Sequence, residues 1–122
     1  VVITHPDKAN EPPKNFTFDR VYDSDSRQEE VYEQTAFSIV ESVVEGFNGT
    51  VFAYGQTGCG KTFTMEGKSS DPELRGIMPR TFHDIFELIR DVDSSVRFLI
   101  VCSYLEIYNE EIRDLLGKDT KQ

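Results

Sequence analysis

The stretch VFAYGQTGCGKTFTM, residues Val51–Met65, decides the fold of this chain. Its first part continues an apolar segment, Thr50–Tyr54, that predicts a β-strand, and a glycine-punctuated loop follows directly. The loop fits the pattern G-x-x-x-x-G-K-[ST] at every fixed position from Gly55 to Thr62. A strand and this loop, followed by residues that can open a helix, predict a nucleoside triphosphate site. A purely structural glycine-rich turn is the alternative.

The fixed residues of the loop each have a chemical role in such a site. Gly55 and Gly60 permit backbone angles and a close approach that a Cβ would forbid, so successive N–H groups can turn inward around an anion. Lys61 can reach the β- and γ-phosphates, and the hydroxyl of Thr62 can ligate Mg²⁺. The helix that opens at Lys61 adds the positive end of its dipole.

Length and charge limit the kind of protein. A chain of 122 residues is one domain at most. Phosphate-loop domains need several parallel strands with helices on both faces, and only two segments here resemble such strands, so we expect part of a domain. The chain has 13 Lys and Arg against 22 Asp and Glu, a net charge of −9. This balance argues against nucleic-acid binding and against a large docking surface for another acidic polymer.

Cysteine usage and hydropathy indicate the compartment. Cys59 and Cys102 do not have the spacing of metal ligands, and we expect free thiols in a reducing compartment. No apolar run approaches the roughly 18 residues of a membrane span, and no signal-peptide pattern is present. We therefore expect a soluble, intracellular chain without membrane insertion, although an N-terminus that lacks Met could be a cut end.

Upstream of the loop, the pattern predicts a hairpin and a long helix. Val1–Thr4 and Asn15–Tyr22 are candidates for a short β-hairpin or for two edge strands. Apolar residues recur at three- and four-residue intervals over Gln28–Phe47, which predicts an amphipathic helix of about five turns. Ser26 and Glu29 have the spacing of a capping box at its start.

Downstream of the loop, we expect a brief helix and then a polar insertion over Gly67–Gly76. Pro79 then lies in the first turn of a second helical piece that continues to about Asp91. Val96–Tyr108 carries apolar residues on both faces, which predicts a buried strand. Asn109–Leu116 suggests a short helical turn.

The catalytic half of a phosphate-loop enzyme is not recognisable. No Asp follows an apolar strand as a Walker B carboxylate does, because the long strand ends in Glu106 and Tyr108 and Asp114 lies in the predicted helical turn. Arg75 is a candidate arginine finger, but a solvated loop arginine is the preferred interpretation. We therefore assign no catalytic residue.

Four ordered motifs resemble the kinesin motor domain. Phe52–Gly67, FAYGQTGCGKTFTMEG, resembles the family's phosphate loop, FAYGQTGxGKT-x-TM-x-G. The flanking segments Phe16–Tyr22 and Gly76–Arg80 resemble FxFDxVF and GIIPR, and Ser103–Glu110 with Arg113–Leu116 resembles SYxEIYNExxxDLL. The resemblance spans essentially the whole chain.

This resemblance implies an α/β fold, a phosphate-loop NTPase of the kinesin type with a central sheet flanked by helices. It implies an ATPase coupled to stepping along microtubules, with ATP and Mg²⁺ as cofactors, Lys61 on the phosphates and Thr62 on Mg²⁺. Phe63 occupies the family position beside the adenine. Carried over by motif, the ATP-binding residues are Gly55, Gln56, Thr57, Gly58, Cys59, Gly60, Lys61, Thr62 and Phe63.

The resemblance also implies that residues 1–122 are the N-terminal portion of a motor domain. The family's first strand and RxRP adenine motif would precede Val1. Switch I, switch II and most microtubule-facing elements would follow Gln122. We therefore expect residues 1–122 alone to fold poorly and to hydrolyse nothing, whereas the whole protein would dimerise through a coiled coil.

Three segments look like those of the kinesin-II group, plus-end motors of intraflagellar and neuronal transport: Asn10–Lys14, Pro72–Gly76 and Gly117–Gln122. The implied location is the cytoplasm and its microtubules, with a cilium or an axon as narrower sites. Two alternatives stay open. One is another phosphate-loop NTPase, and the other is a truncated, non-catalytic interaction module that acts through the Gln28–Phe47 helix.

Overall fold

The computed structural model describes residues 1–8 and 10–117, so the segment Gly117–Gln122 lies outside the described residues except for Gly117. The chain divides into two units, Val1–Asp91 and Val92–Gln122. The elements in chain order are β1 (Val2–Ile3), β2 (Lys14–Asn15), α1 (Gln28–Thr35), α2 (Phe37–Val44), α3 (Lys61–Met65), a 3₁₀ turn (Pro72–Leu74), α4 (Ile77–Arg90), β3 (Leu105–Tyr108) and β4 (Glu111–Asp114).

The N-terminal hairpin is present but shorter than the alternation of residues predicts. Strands β1 and β2 pair antiparallel, with Val2 opposite Asn15. The N-terminal ammonium of Val1 donates to the carbonyl of Phe16 at 2.8 Å and extends the pairing by one residue. The predicted strand over Asn15–Tyr22 is wrong beyond this point, because its backbone has no paired neighbour among the described residues.

The predicted helix over Gln28–Phe47 is two helices, α1 and α2, joined at Ala36, where φ is −111° and ψ is −34°. The hydroxyl of Thr35 donates to the carbonyl of Val31, one turn earlier. A side chain that bonds back in this way bends a helix. Helix α2 ends at Val44 with Glu45 as its C-cap, and Gly46 follows with a φ of +107°, the left-handed conformation in which glycine commonly terminates helices.

The predicted capping box at the start of α1 is wrong. The N-cap residue is Arg27, and it makes no side-chain cap. The hydroxyl of Ser26 instead accepts from the backbone N–H of Asp23 at 3.0 Å and donates to the carboxylate of Asp23 at 3.1 Å. The Ser26 hydroxyl is therefore engaged by Asp23 in the preceding turn and does not cap the first N–H groups of α1.

The core of the first unit lies where α1 meets α4. Three buried side chains form it: Tyr32, Ala36 and Ile77. Phe37, Val51 and Met65 pack against this cluster while partly exposed. Val51 and Met65 flank the phosphate loop on both sides in sequence, so the core anchors both ends of that loop.

The insertion and α4 agree with the pattern. After α3 ends, the chain turns at Gly67, where φ is +67°. The backbones of Gly67 and Arg75 then form an isolated antiparallel bridge across the insertion. Helix α4 begins at Ile77, with Pro79 in its first turn, and ends at Arg90, close to the predicted end at about Asp91. Arg80 of α4 donates to the backbone carbonyls of Arg75 at 3.0 Å and Pro72 at 3.1 Å, which fastens the insertion to the helix.

The predicted strand before the phosphate loop is not formed. Thr50–Tyr54 is not a strand, and Phe52 and Tyr54 are 82% and 95% exposed. A strand needs a hydrogen-bonded neighbour, and no backbone within residues 1–8 and 10–117 pairs with this segment.

The second unit differs most from the prediction. The predicted strand over Val96–Tyr108 forms only at its end, as β3, and Leu99 and Val101 are exposed rather than buried. The predicted helical turn over Asn109–Leu116 is also wrong, because β4 pairs antiparallel with β3 in a hairpin.

The two-residue turn of this hairpin accounts for the second error. Asn109 and Glu110 have φ values of +50° and +66°. Positive φ at both central positions is the geometry that joins tightly paired antiparallel strands.

None of the helices within the described ranges is both long enough and apolar enough to cross a membrane.

Candidate functional site

The phosphate loop, Gly55–Thr62, has a backbone that only glycine adopts readily. The φ values are +154° at Gly55, +80° at Gly58 and +93° at Gly60. A Cβ at Gly55 would overlap the sulfur of Cys59. These glycines therefore permit the backbone angles and the close approach of Gly55 to Cys59 that an anion-binding loop of this pattern requires.

The ammonium of Lys61 lies over this loop. It donates to the carbonyl of Gly55 at 2.9 Å and to the carbonyl of Gln56 at 2.6 Å. Its distance to the sulfur of Cys59 is 3.9 Å. The loop therefore holds a full positive charge next to the backbone that would face an anion.

Helix α3 begins at Lys61, immediately after the left-handed Gly60. The amides of a first helical turn have no acceptor within the helix, so they are free to bind an anion. Thr62 is exposed in this turn, and Phe63 is 46% exposed. The hydroxyl that would ligate Mg²⁺ and the ring that would lie beside a base are thus both accessible.

A magnesium ion needs few protein ligands here. No group of three His, Cys, Asp or Glu side chains within the described ranges is arranged to hold a metal ion. In the phosphate-loop pattern, one hydroxyl and the phosphates supply ligands and water completes the set. The single exposed hydroxyl of Thr62 is consistent with this kind of magnesium coordination.

The groups considered for catalysis are engaged in local structure. Glu106, at the end of the long apolar segment, accepts from the guanidinium of Arg113 at 3.3 Å across the β3–β4 hairpin. Asp114 caps a turn by accepting from the backbone N–H of Leu116 at 2.9 Å. Arg75 is exposed, and its carbonyl accepts from Arg80. The side chains of Glu106 and Asp114 are therefore engaged in local structure, and Arg75 is a solvent-exposed loop arginine, as the sequence analysis preferred.

The structure adds one residue that the sequence analysis did not single out. Gln28 is 7% exposed, and its side-chain amide donates to the carbonyl of Phe63 at 2.6 Å. It lies four residues before Tyr32, which is itself four before Ala36, so all three share one face of α1. The sequence did contain a signal for this residue, because Gln28 is polar yet has the helical spacing of the apolar residues on the buried face.

A second part-buried hydrogen bond joins α1 to α4. The hydroxyl of Tyr32 donates to the carboxylate of Asp84 at 2.7 Å. Burial raises the pKa of Tyr32 well above its ordinary value, and the neighbouring carboxylate of Asp84 raises it further. The neutral phenol is therefore the form that the fold favours.

Comparisons with known proteins agree with the motifs. A family model of the kinesin motor domain matches residues 2–122. Kinesin-like protein KIF3C of Pongo abelii and that of Mus musculus are each 52% identical over 120 residues, which are 98% of this chain and 15% of the relative. These relatives confirm the predicted resemblance to the kinesin-II group.

A solved structure of a fast kinesin supports the same assignment. It is 44% identical to this chain and superposes with a TM-score of 0.82 over 86% of this chain and 30% of that one. The predicted fold class, a phosphate-loop NTPase of the kinesin type, is confirmed. The chain spans a minor part of the length of each of these relatives, and it belongs to the kinesin motor domain family.

Proposed function

We propose that residues 1–122 form the ATP-binding portion of a microtubule motor that couples ATP hydrolysis to movement along microtubules. The observation that carries this proposal is the phosphate loop, in which three glycines have positive φ and the ammonium of Lys61 donates to the carbonyls of Gly55 and Gln56. Family membership supplies the motor context.

Each residue of the loop has a task in this proposal. The backbone N–H groups between Gly55 and Thr62 bind phosphate oxygens, and the ammonium of Lys61 neutralises the β- and γ-phosphates. The hydroxyl of Thr62 holds Mg²⁺, which when bound would neutralise charge that develops on the phosphates. Phe63 packs beside the adenine. The remaining loop positions, Gln56, Thr57, Gly58, Cys59 and Gly60, supply backbone to the cradle.

The rest of the motor is proposed from the family. Residues 1–122 are one part of the motor domain, and the groups that activate water belong to the switch motifs, so we assign no catalytic residue among them. Microtubule contact lies mostly in other elements, and dimerisation occurs through a coiled coil. The proposed location is the cytoplasm, on the microtubule cytoskeleton, in a cilium or an axon.

Microtubule-stimulated phosphate release tests this function. The assay uses the transcript-length protein, meaning the protein at the full length that its transcript encodes. Lys61→Ala should remove the stimulated activity, because charge-assisted bonds to phosphate are lost. Lys14→Ala is the matched control, since Lys14 is an exposed lysine in β2. Equal loss in both variants, or no stimulation in the unmodified protein, would contradict the proposal and favour the interaction module.

A further inference from the structure

Helix α3 carries Lys61 and Thr62, yet it is only five residues long. Helices of this length do not persist on their own, because the cost of nucleation exceeds what a few hydrogen bonds return. Its position, and hence the position of the two side chains proposed to bind Mg-ATP, must be maintained by contacts with the rest of the fold.

The backbone hydrogen bonds at the end of α3 leave the carbonyl of Phe63 without a backbone donor. The N–H groups of Glu66 and Gly67 both donate to the carbonyl of Thr62, at 2.8 and 3.3 Å. In a continuing helix, the N–H of Gly67 would instead donate to the carbonyl of Phe63. Because Gly67 is in the left-handed conformation, its N–H bonds to Thr62 and the carbonyl of Phe63 loses the backbone donor that it would have in a longer helix.

Gln28 supplies the missing donor. Its side-chain amide lies 2.6 Å from the carbonyl of Phe63, although 35 positions separate the two residues in the sequence. Gln28 is the buried polar residue of the described core, and Tyr32 and Ala36 on the same face of α1 are buried against α4. The side chain that carries the donor is therefore buried and belongs to a packed helix.

We infer that Gln28 is a positioning residue for the nucleotide site, which caps the end of α3 and so holds Lys61 and Thr62 in the geometry of the phosphate loop. The inference rests on the proposed function, because it assigns those two side chains to Mg-ATP. Phe63 is the next residue after Thr62, so a shift of its carbonyl moves the whole first turn. A part-buried carbonyl left without a donor would favour such a shift.

The test compares two variants of α1 in the transcript-length protein. Gln28→Met keeps an unbranched side chain of similar size but removes the donor to Phe63. Tyr32→Phe removes the other part-buried hydrogen bond of the same helix, the one to Asp84, and does not touch α3. Both variants should lose some resistance to urea. The Kd for Mg-ATP should rise about tenfold in Gln28→Met, equivalent to about 1.4 kcal/mol, and stay unchanged in Tyr32→Phe.

Kinetics and hydrogen exchange separate positioning from a folding defect. In Gln28→Met the KM for ATP should rise with the Kd, whereas a loss of folded molecules would lower kcat at unchanged KM. Amides of Lys61–Glu66 should exchange faster in Gln28→Met than in Tyr32→Phe without nucleotide. Equal Kd values for the two variants would overturn the role of Gln28. Absence of Mg-ATP binding by the unmodified protein would instead overturn the proposed function, and the exchange rates would still report on the cap.

Discussion

At the scale of single residues, Cys59 tests where the nucleotide lies. It is an exposed free thiol in the phosphate loop, 3.9 Å from the ammonium of Lys61. We expect Mg-ATP to slow its alkylation by iodoacetamide, because bound phosphates would cover it. Cys102, an exposed free thiol in the other unit, is the internal control and should react at one rate throughout. Mass spectrometry of the two peptides measures both rates, and equal protection or none would contradict the placement.

Gly55 tests the backbone of the same loop. Gly55 and Gly58 both have a positive φ that alanine rarely adopts, but only at Gly55 would a methyl group also overlap the sulfur of Cys59. A Cβ at Gly58 meets nothing within 4 Å. Gly55→Ala should therefore weaken Mg-ATP binding more than Gly58→Ala does, which titration calorimetry can measure. A larger effect at Gly58 would show that steric room at Gly55 is not what forms the cradle.

Residues differ in how far the sequence predicts their role. The phosphate loop was predictable because its glycines, lysine and threonine act through local backbone geometry, which a short pattern encodes. The role of Gln28 was not, because its bond to Phe63 joins positions 35 residues apart. Hydrogen bonds of that kind follow from packing, which periodicity indicates only as a shared face.

At the scale of elements, the contact between α1 and α4 predicts a dependence on alkaline pH. The folded-state pKa of Tyr32 is raised by burial and by Asp84. The stability that the neutral phenol provides is complete below the unfolded value of about 10. It falls above that pH, since the unfolded state releases its proton first, with a slope of at most about 1.4 kcal/mol per pH unit.

Tyr32→Phe isolates this effect. Urea midpoints of the transcript-length protein, measured between pH 8 and pH 11, should fall more steeply with pH in the unmodified protein than in the variant. The difference between the two curves cancels the titration of lysines. Parallel curves across this range would show that Tyr32 is free to ionise in the folded state.

Helices and strands were predicted with unequal success, for a physical reason. A helix satisfies its hydrogen bonds within one segment, so the periodicity around Tyr32 and the first turn at Pro79 located α1, α2 and α4 well. A strand needs a neighbour. Val51–Tyr54 and residues 96–103 have strand-like composition but no neighbouring strand among the described residues, so they are not strands. Asn109 and Glu110 formed a hairpin turn where a helical turn was expected.

At the scale of the whole molecule, residues 1–122 alone should fold poorly and hydrolyse no ATP. The buried hydrophobic residues of the described part are only Tyr32, Ala36, Val40 and Ile77. Large apolar side chains such as Phe52 and Leu99 are more than 80% exposed. Exposed apolar surface of this extent favours association over a single folded state. We expect broad thermal unfolding and strong binding of a hydrophobic dye, whereas cooperative melting with tight Mg-ATP binding would contradict this.

The most direct test of the central claim is the equilibrium binding of Mg-ATP by the transcript-length protein and by its Lys61→Ala variant, measured by titration calorimetry. If the phosphate loop is the nucleotide site, the unmodified protein binds one ATP, and the variant binds at least about tenfold more weakly because a charged contact to phosphate is worth roughly 1.5–3 kcal/mol. Equal affinities in the two proteins, or no binding by the unmodified one, would contradict the assignment of Gly55–Thr62 as an ATP site.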